Sequence, residues 1–196
     1  MEMLLPSDID EKQGRILTAA LSVFAAYGFK RTSMEDIAAS AGMSRAALYQ
    51  HFRNKDDILT TGIRVFFDAV EADLRAALAS GATLEEAMRL GCFATAGEMA
   101  RLMLNSPHGE ELLMLKSGAA AELVAEREAR IVTVWADWLS EQDAAGRLRL
   151  PEGGAMAAAV AIIAGQYGQK ATATGYDDYI ARLAVYAELM ARALAP

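Results

Sequence analysis

The sequence predicts an all-α protein of about nine helices, on three observations. It is rich in Ala, Leu, Glu, Arg and Met, the strong helix formers. Apolar residues return every three or four positions through most of its 196 residues. No convincing strand pattern and no internal repeat interrupts that period. At 54% hydrophobic and 23% charged residues, the chain is too apolar for disorder and long enough to bury a core unaided. Its single cysteine, Cys92, excludes a disulfide framework within one chain and a four-cysteine zinc site.

The elements follow in order. Ile16, Leu17, Ala20, Leu21, Val23, Phe24 and Tyr27 recur at helical spacing, so residues near 10–27 form an amphipathic first helix, stopped by Gly28. Thr32-Ser33 opens a short second helix, with Ser33 and Asp36 spaced as a capping box. Ile37, Ala38 and Ala41 give that helix its inner face, and Gly42 breaks it. Ser44 caps a third short helix carrying Leu48 and Phe52 inward. Asn54, with Asp57 at the third position, caps a longer helix to about Ala79. Thr83 with Glu86 opens one to about Leu104. Pro107 begins a further short helix. Long helices are expected over 119–145, 155–172 and 177–194.

Residues 32–59, TSMEDIAASAGMSRAALYQHFRNKDDIL, carry the informative pattern. Two short helices meet at Ala41-Gly42-Met43-Ser44, where glycine permits a positive φ that other residues resist. Ile37, Ala41, Leu48 and Phe52 can form a small core between them. This is the logic of a helix-turn-helix, whose second helix enters a DNA major groove. Charge agrees. Residues 12–55 hold seven basic and two acidic side chains, a balance of +5, whereas residues 61–196 hold 12 basic and 18 acidic, a balance of −6. A basic module on an acidic body is an electrostatic footprint for phosphate.

The segment resembles the TetR family of one-component transcriptional regulators. The resemblance rests on Thr32, Ile37-Ala38, Ala41-Gly42-Met43-Ser44, Leu48-Tyr49, Phe52, and Lys55 through Leu59, about the first quarter of the chain. Asp56 and Asp57 stand where glutamate is common in the family. The resemblance implies a helix-turn-helix DNA-binding domain over residues 8–54 and a helical ligand-sensing and dimerisation domain over 55–196. It also implies a sequence-specific repressor released from a palindromic or pseudo-palindromic double-stranded DNA operator by a small molecule. An activator or dual regulator of the same family, or a ligand-independent helical interaction protein, is the alternative.

Residue roles combine that resemblance with chemistry. The expected DNA-facing set is Thr32, Ser33, Ser44, Arg45, Ala46, Tyr49, Gln50, His51 and Lys55. The planar fork of Arg45 suits guanine or phosphate. Ala46 can touch a thymine methyl. Tyr49 reaches phosphate or supports packing, Gln50 reads adenine or is solvated, and His51 touches phosphate or packs. Thr32 and Ser33 are primarily caps, at a helix end that also suits phosphate. Lys55 sits in the first turn of the fourth helix, where a cation is unfavourable unless an anion offsets it; a DNA phosphate is the expected partner.

By resemblance, the middle helices enclose a ligand pocket, with Phe66, Phe67, Met99, Met103, Met114, Trp135 and Trp138 as its expected lining and a mostly apolar effector. Methionine adapts to varied apolar partners. The small-residue ridge Gly153, Ala157, Ala161, Gly165 lets another helix approach closely. Ala157, Ala161, Gly165 and Tyr186 are the expected homodimer contacts, because twofold operators pair with twofold proteins. Two histidines, one cysteine and no Gly-rich phosphate loop leave little material for catalysis, so no enzyme, no metal and no cofactor is expected. No basic leader or membrane-length apolar run is evident, and the expected compartment is cytoplasmic.

Overall fold

The computed structural model describes residues 9–108 and 119–196, apart from the side chains of residues 98, 99 and 119. Among the described residues there are eight helices and no strand. They are α1 (Glu11–Tyr27), α2 (Met34–Ser40), α3 (Arg45–Tyr49), α4 (Lys55–Ser80), α5 (Leu84–Leu104), α6 (Ala119–Ala144), α7 (Gly154–Ala171) and α8 (Tyr176–Ala193). The short helix expected from Pro107 lies mostly outside the described residues. The chain divides into two compact units, Met1–Ala69 with Glu98–Arg127, and Val70–Gly97 with Glu128–Pro196.

The first unit is organised by local caps and one apolar cluster. Asp10 and Gln13 form a reciprocal capping box on α1. The expected Ser33–Asp36 box forms on α2, with aspartate reaching back to the Ser33 N–H at 2.8 Å. Asn54 accepts from the Asp57 N–H at 2.8 Å, fixing the start of α4. Ile16, Leu17 and Phe24 from α1, Ile37 from α2, Leu48 from α3, then Phe52 and Ile58, are buried in one cluster. Leu102 and Met103 pack against it. Tyr27 does not join them: it ends α1 on the outside, 63% exposed.

The second unit buries Leu74, Met88, Cys92, Trp135, Leu139, Ile162 and Leu183. Gly165 and Tyr186, expected at a dimer interface, close on each other within the chain. A β-carbon at Gly165 would lie 2.2 Å from the Tyr186 hydroxyl oxygen, so only glycine admits the ring. That hydroxyl donates to the carbonyls of Ala161 and Ile162 at 3.0 and 3.2 Å, locking α8 to α7. Ala157 and Ala161 remain exposed.

One expected element is divided. The stretch from Thr83 to Leu104 reads as one helix, but Gly97 adopts φ 59°, ψ 174° and breaks α5. Only glycine enters that region readily. The break coincides with the point where the chain leaves the second unit for the first.

Candidate nucleic-acid interface

The α2–α3 turn is built from backbone bonds that a glycine makes possible. Gly42 sits at φ 67°. Its N–H donates to the Ala39 carbonyl at 3.1 Å, and the Met43 N–H donates to Ala38 at 3.0 Å. The chain then enters α3 through Ser44, whose hydroxyl accepts from the Ala47 N–H at 3.1 Å. Leu48 anchors α3 from beneath, fully buried. Arg45, Ala46, Tyr49 and Gln50 therefore share one exposed stripe, joined by exposed Ser44 and half-buried His51.

The polar side chains of this face are not all equally available. Arg45 pairs with Glu35 of α2, a contact across the turn that the sequence reading missed. The guanidinium also lies over the Tyr49 ring, 5.4 Å from its centroid. Hydrogen bonding to Tyr49, then the charge of Glu35, push the Arg45 pKa still higher. The Ser33 hydroxyl donates to Asp36 at 2.7 Å, and hydrogen bonds from Ser33 hold the Asp36 carboxyl below its usual range. Thr32 is withdrawn from the face. It is buried, and its hydroxyl donates inward to the Gly28 carbonyl at 2.9 Å.

Lys55, expected to meet a DNA phosphate, has acceptors within the chain. Its ammonium donates to the carbonyls of Phe29, Lys30 and Thr32 at 2.8, 3.2 and 3.0 Å. An ammonium has three N–H donors, so each finds an acceptor within the first unit. The cation additionally sits 4.7 Å from the centre of the Phe29 ring. The opposing field of the α4 N-terminus is offset by these carbonyl oxygens, with no phosphate required. The cluster orders the turn between α1 and α2, on which Lys30 and Arg31 stand exposed. Two other cations in the basic window, Lys12 and Arg15, are exposed on α1.

Residues 16–60 match the profile of bacterial regulatory proteins, tetR family. This N-terminal segment belongs to the tetR family. Its curated relatives include the HTH-type transcriptional activator FasR of Mycolicibacterium smegmatis, 36% identical over 69 residues, 35% of this chain and 32% of that protein. The HTH-type transcriptional repressor KstR2 of the same organism is 36% identical over 63 residues, 32% of this chain and 31% of that protein. The matches thus span about a third of these relatives' length. The fold likeness extends further. The fatty acid degradation regulator FadR from Bacillus halodurans superposes with a TM-score of 0.76 over 94% of this chain and 96% of its own, at 18% identity. The tetR-family segment thus leads an all-α chain with a helix-turn-helix at its N-terminus and a helical C-terminal part. These relatives are regulators, not enzymes.

Beyond the tetR-family segment, the described residues of the expected pocket are each placed within their own unit. Phe66 and Phe67 form an edge-to-face pair, centroids 5.2 Å apart, in the first unit. Met103 packs on that unit's core. Met99 and Met114 lie outside the described side chains. Trp135 is wholly buried in the second unit, 6.0 Å from Trp138. Trp138 lines a half-open cleft of about 710 Å³ in the second unit, with Leu78, Leu84 and Val134 as apolar wall and Arg75, Asp137, Glu141 and Arg147 as polar wall. On the outer side of α7 and α8, Met156, Val160, Tyr167, Val185 and Leu189 are exposed, large side chains that the sequence reading did not single out. Among the described residues, no helix is long and apolar enough to cross a membrane and no cluster could hold a metal ion.

Proposed function

We propose that the protein is a dimeric, sequence-specific DNA-binding repressor of the cytoplasm, controlled by a small molecule. Residues 8–54 form the DNA-binding domain, and 55–196 sense the effector and dimerise. The observation that carries this is the α3 stripe: a short helix, pinned by Leu48, that presents Arg45, Ala46, Tyr49 and Gln50 outward. Short side chains at Ala46 and Ala47 let the helix approach base edges, and Arg45 supplies a guanine-reading fork. Phosphates are met by Lys30, Arg31, Lys12 and Arg15 around it. Activation is the second reading, because FasR, one of the relatives this chain matches, is an activator; the operator's position relative to the promoter decides between them.

The small-molecule reading is supported by the resemblance and by the cleft at Trp138, whose volume of about 710 Å³ falls within the usual range for ligand sites, roughly 300–1,000 Å³. Selection of duplexes from a random library, followed by salt titration of the best sequence against random DNA, tests the function. The expected result is one palindromic consensus, bound more weakly as salt rises. A protein that prefers no duplex over random DNA refutes it.

A further inference from the structure

We propose that Glu35 is a specificity-determining residue of the DNA interface, acting by holding the Arg45 guanidinium against the Tyr49 ring. The proposal rests on the reading that α3 meets DNA. A free arginine on a surface helix samples many rotamers and serves any phosphate or guanine within reach. Here three contacts restrict it. Nη1 engages the Glu35 carboxylate, Nη2 donates to the Tyr49 hydroxyl at 3.4 Å, and the guanidinium covers the Tyr49 ring at 5.4 Å. The fork is thereby aimed, with the remaining N–H groups in a fixed plane.

Stability is a poor explanation for this pair. The Arg45 and Glu35 side chains are 57% and 54% exposed, and ion pairs so open to water contribute little to folding. A carboxylate on a face that meets phosphates also opposes binding to any DNA. Both effects push in one direction. Glu35 competes with phosphate for Arg45, which lowers affinity for random duplex. It also fixes the fork for bidentate contact with one base, which preserves affinity for the right duplex. Specificity is the difference between these two affinities. The contact links α2 to α3, so it also sets how the two helices share the groove face.

The experiment uses the full chain. Wild type, Arg45→Ala and Glu35→Gln are each used to select duplexes from a random library, and each is titrated with salt on random DNA. Arg45→Ala identifies the base pair in each half-site that depends on the guanidinium. Glu35→Gln is expected to lose at least about fivefold of discrimination at that same pair, the low end of what a bidentate base contact gives. It should bind random duplex a few-fold more tightly and with a steeper salt dependence, as Arg45 turns to phosphate. An unaltered thermal melt confirms that folding is intact. A Glu35→Gln profile identical to wild type overturns the proposal, and so does a preference lost at a different base pair from that of Arg45. Wild-type protein that selects no sequence refutes the DNA-binding reading itself, an outcome visible before the variants are compared.

Discussion

Lys55 shows how one chemical need admits more than one partner. The sequence places a cation at a helix N-terminus, where it needs an anion or acceptors nearby. A phosphate and a cluster of carbonyls satisfy that need equally. The structure supplies the carbonyls of Phe29, Lys30 and Thr32. Lys55→Met keeps much of the side-chain volume and removes the donors. It is expected to destabilise the fold by about 1–3 kcal/mol, the scale of hydrogen bonds to a charged group, and to leave the slope of DNA affinity against salt nearly unchanged. Thermal unfolding and salt titration read the two effects separately. A slope flattened by about one unit with an unaltered melt would assign Lys55 to a phosphate.

At the scale of elements, the backbone of α5 and the cap of α8 make contrasting demands. Gly97 holds a conformation that costs other residues about 1–3 kcal/mol. Gly97→Ala should therefore lower stability by that amount, whereas alanine in an ordinary helix position would raise it; urea unfolding decides the sign. Asp178 accepts from the Thr174 N–H and from Arg182 Nε, each at 2.9 Å, and so closes the first turn of α8. Its pKa is lowered to about 2, first by the Arg182 hydrogen bond and then by the Thr174 N–H. A carboxyl lowered on folding stabilises the native state above its ordinary value of 3.8 and loses that contribution as pH falls towards 2. Stability measured from pH 5 down to pH 2 should fall less steeply in Asp178→Asn than in the wild type.

The same elements show what was legible before the structure. Caps such as Ser33–Asp36, Ser44–Ala47 and Asn54–Asp57 join residues three positions apart, so their chemistry is contained in a short word of sequence. The Gly42 turn and the inward Ile37, Leu48 and Phe52 are legible for the same reason. Glu35 and Arg45 lie ten positions apart across a turn, and no helical period relates them. Gly97 sits in an unbroken apolar pattern, where a lone glycine is read as tolerated rather than as a stop. Phe66, Phe67, Trp135 and Trp138 have an apolar character that the sequence reports, but periodicity does not say which core receives each. Gly165 illustrates the remaining ambiguity: a small residue marks a close approach, and here the approaching group is Tyr186 of the same chain.

For the whole molecule, the proposed dimer is tested on the exposed side of α7 and α8. Met156, Val160, Val185 and Leu189 are each more than half exposed. Together with Ala157 and Ala161 they form an apolar face in the second unit, of the kind that marks an interface. Val160→Glu leaves the chain's own packing alone and places an unpaired charge in the proposed contact, where burial is costly. The variant should be monomeric at micromolar concentration by light scattering and lose operator affinity, because a single recognition helix reads only a half-site. A wild-type monomer refutes the proposed dimer, and a Val160→Glu dimer argues for another interface. In the proposed function, operator and effector are linked in turn: an effector that lowers operator affinity must bind the DNA-free form more tightly, by the same factor.

The carbonyl cage around Lys55 also changes how the chain looks to an amine-reactive reagent. A lysine nitrogen attacks an electrophile through its lone pair, which requires the amine to shed a proton and swing free. Lys12 and Lys30 are exposed and swing freely. Lys55 must first leave three oxygens and the face of Phe29. Mass spectrometry after brief acylation should find Lys12 and Lys30 labelled quickly and Lys55 slowly. Operator DNA should then slow Lys30 while leaving Lys55 as it was, so the lysine nearest the recognition motif's C-terminal end would be silent in a footprint of the very surface it helps to shape.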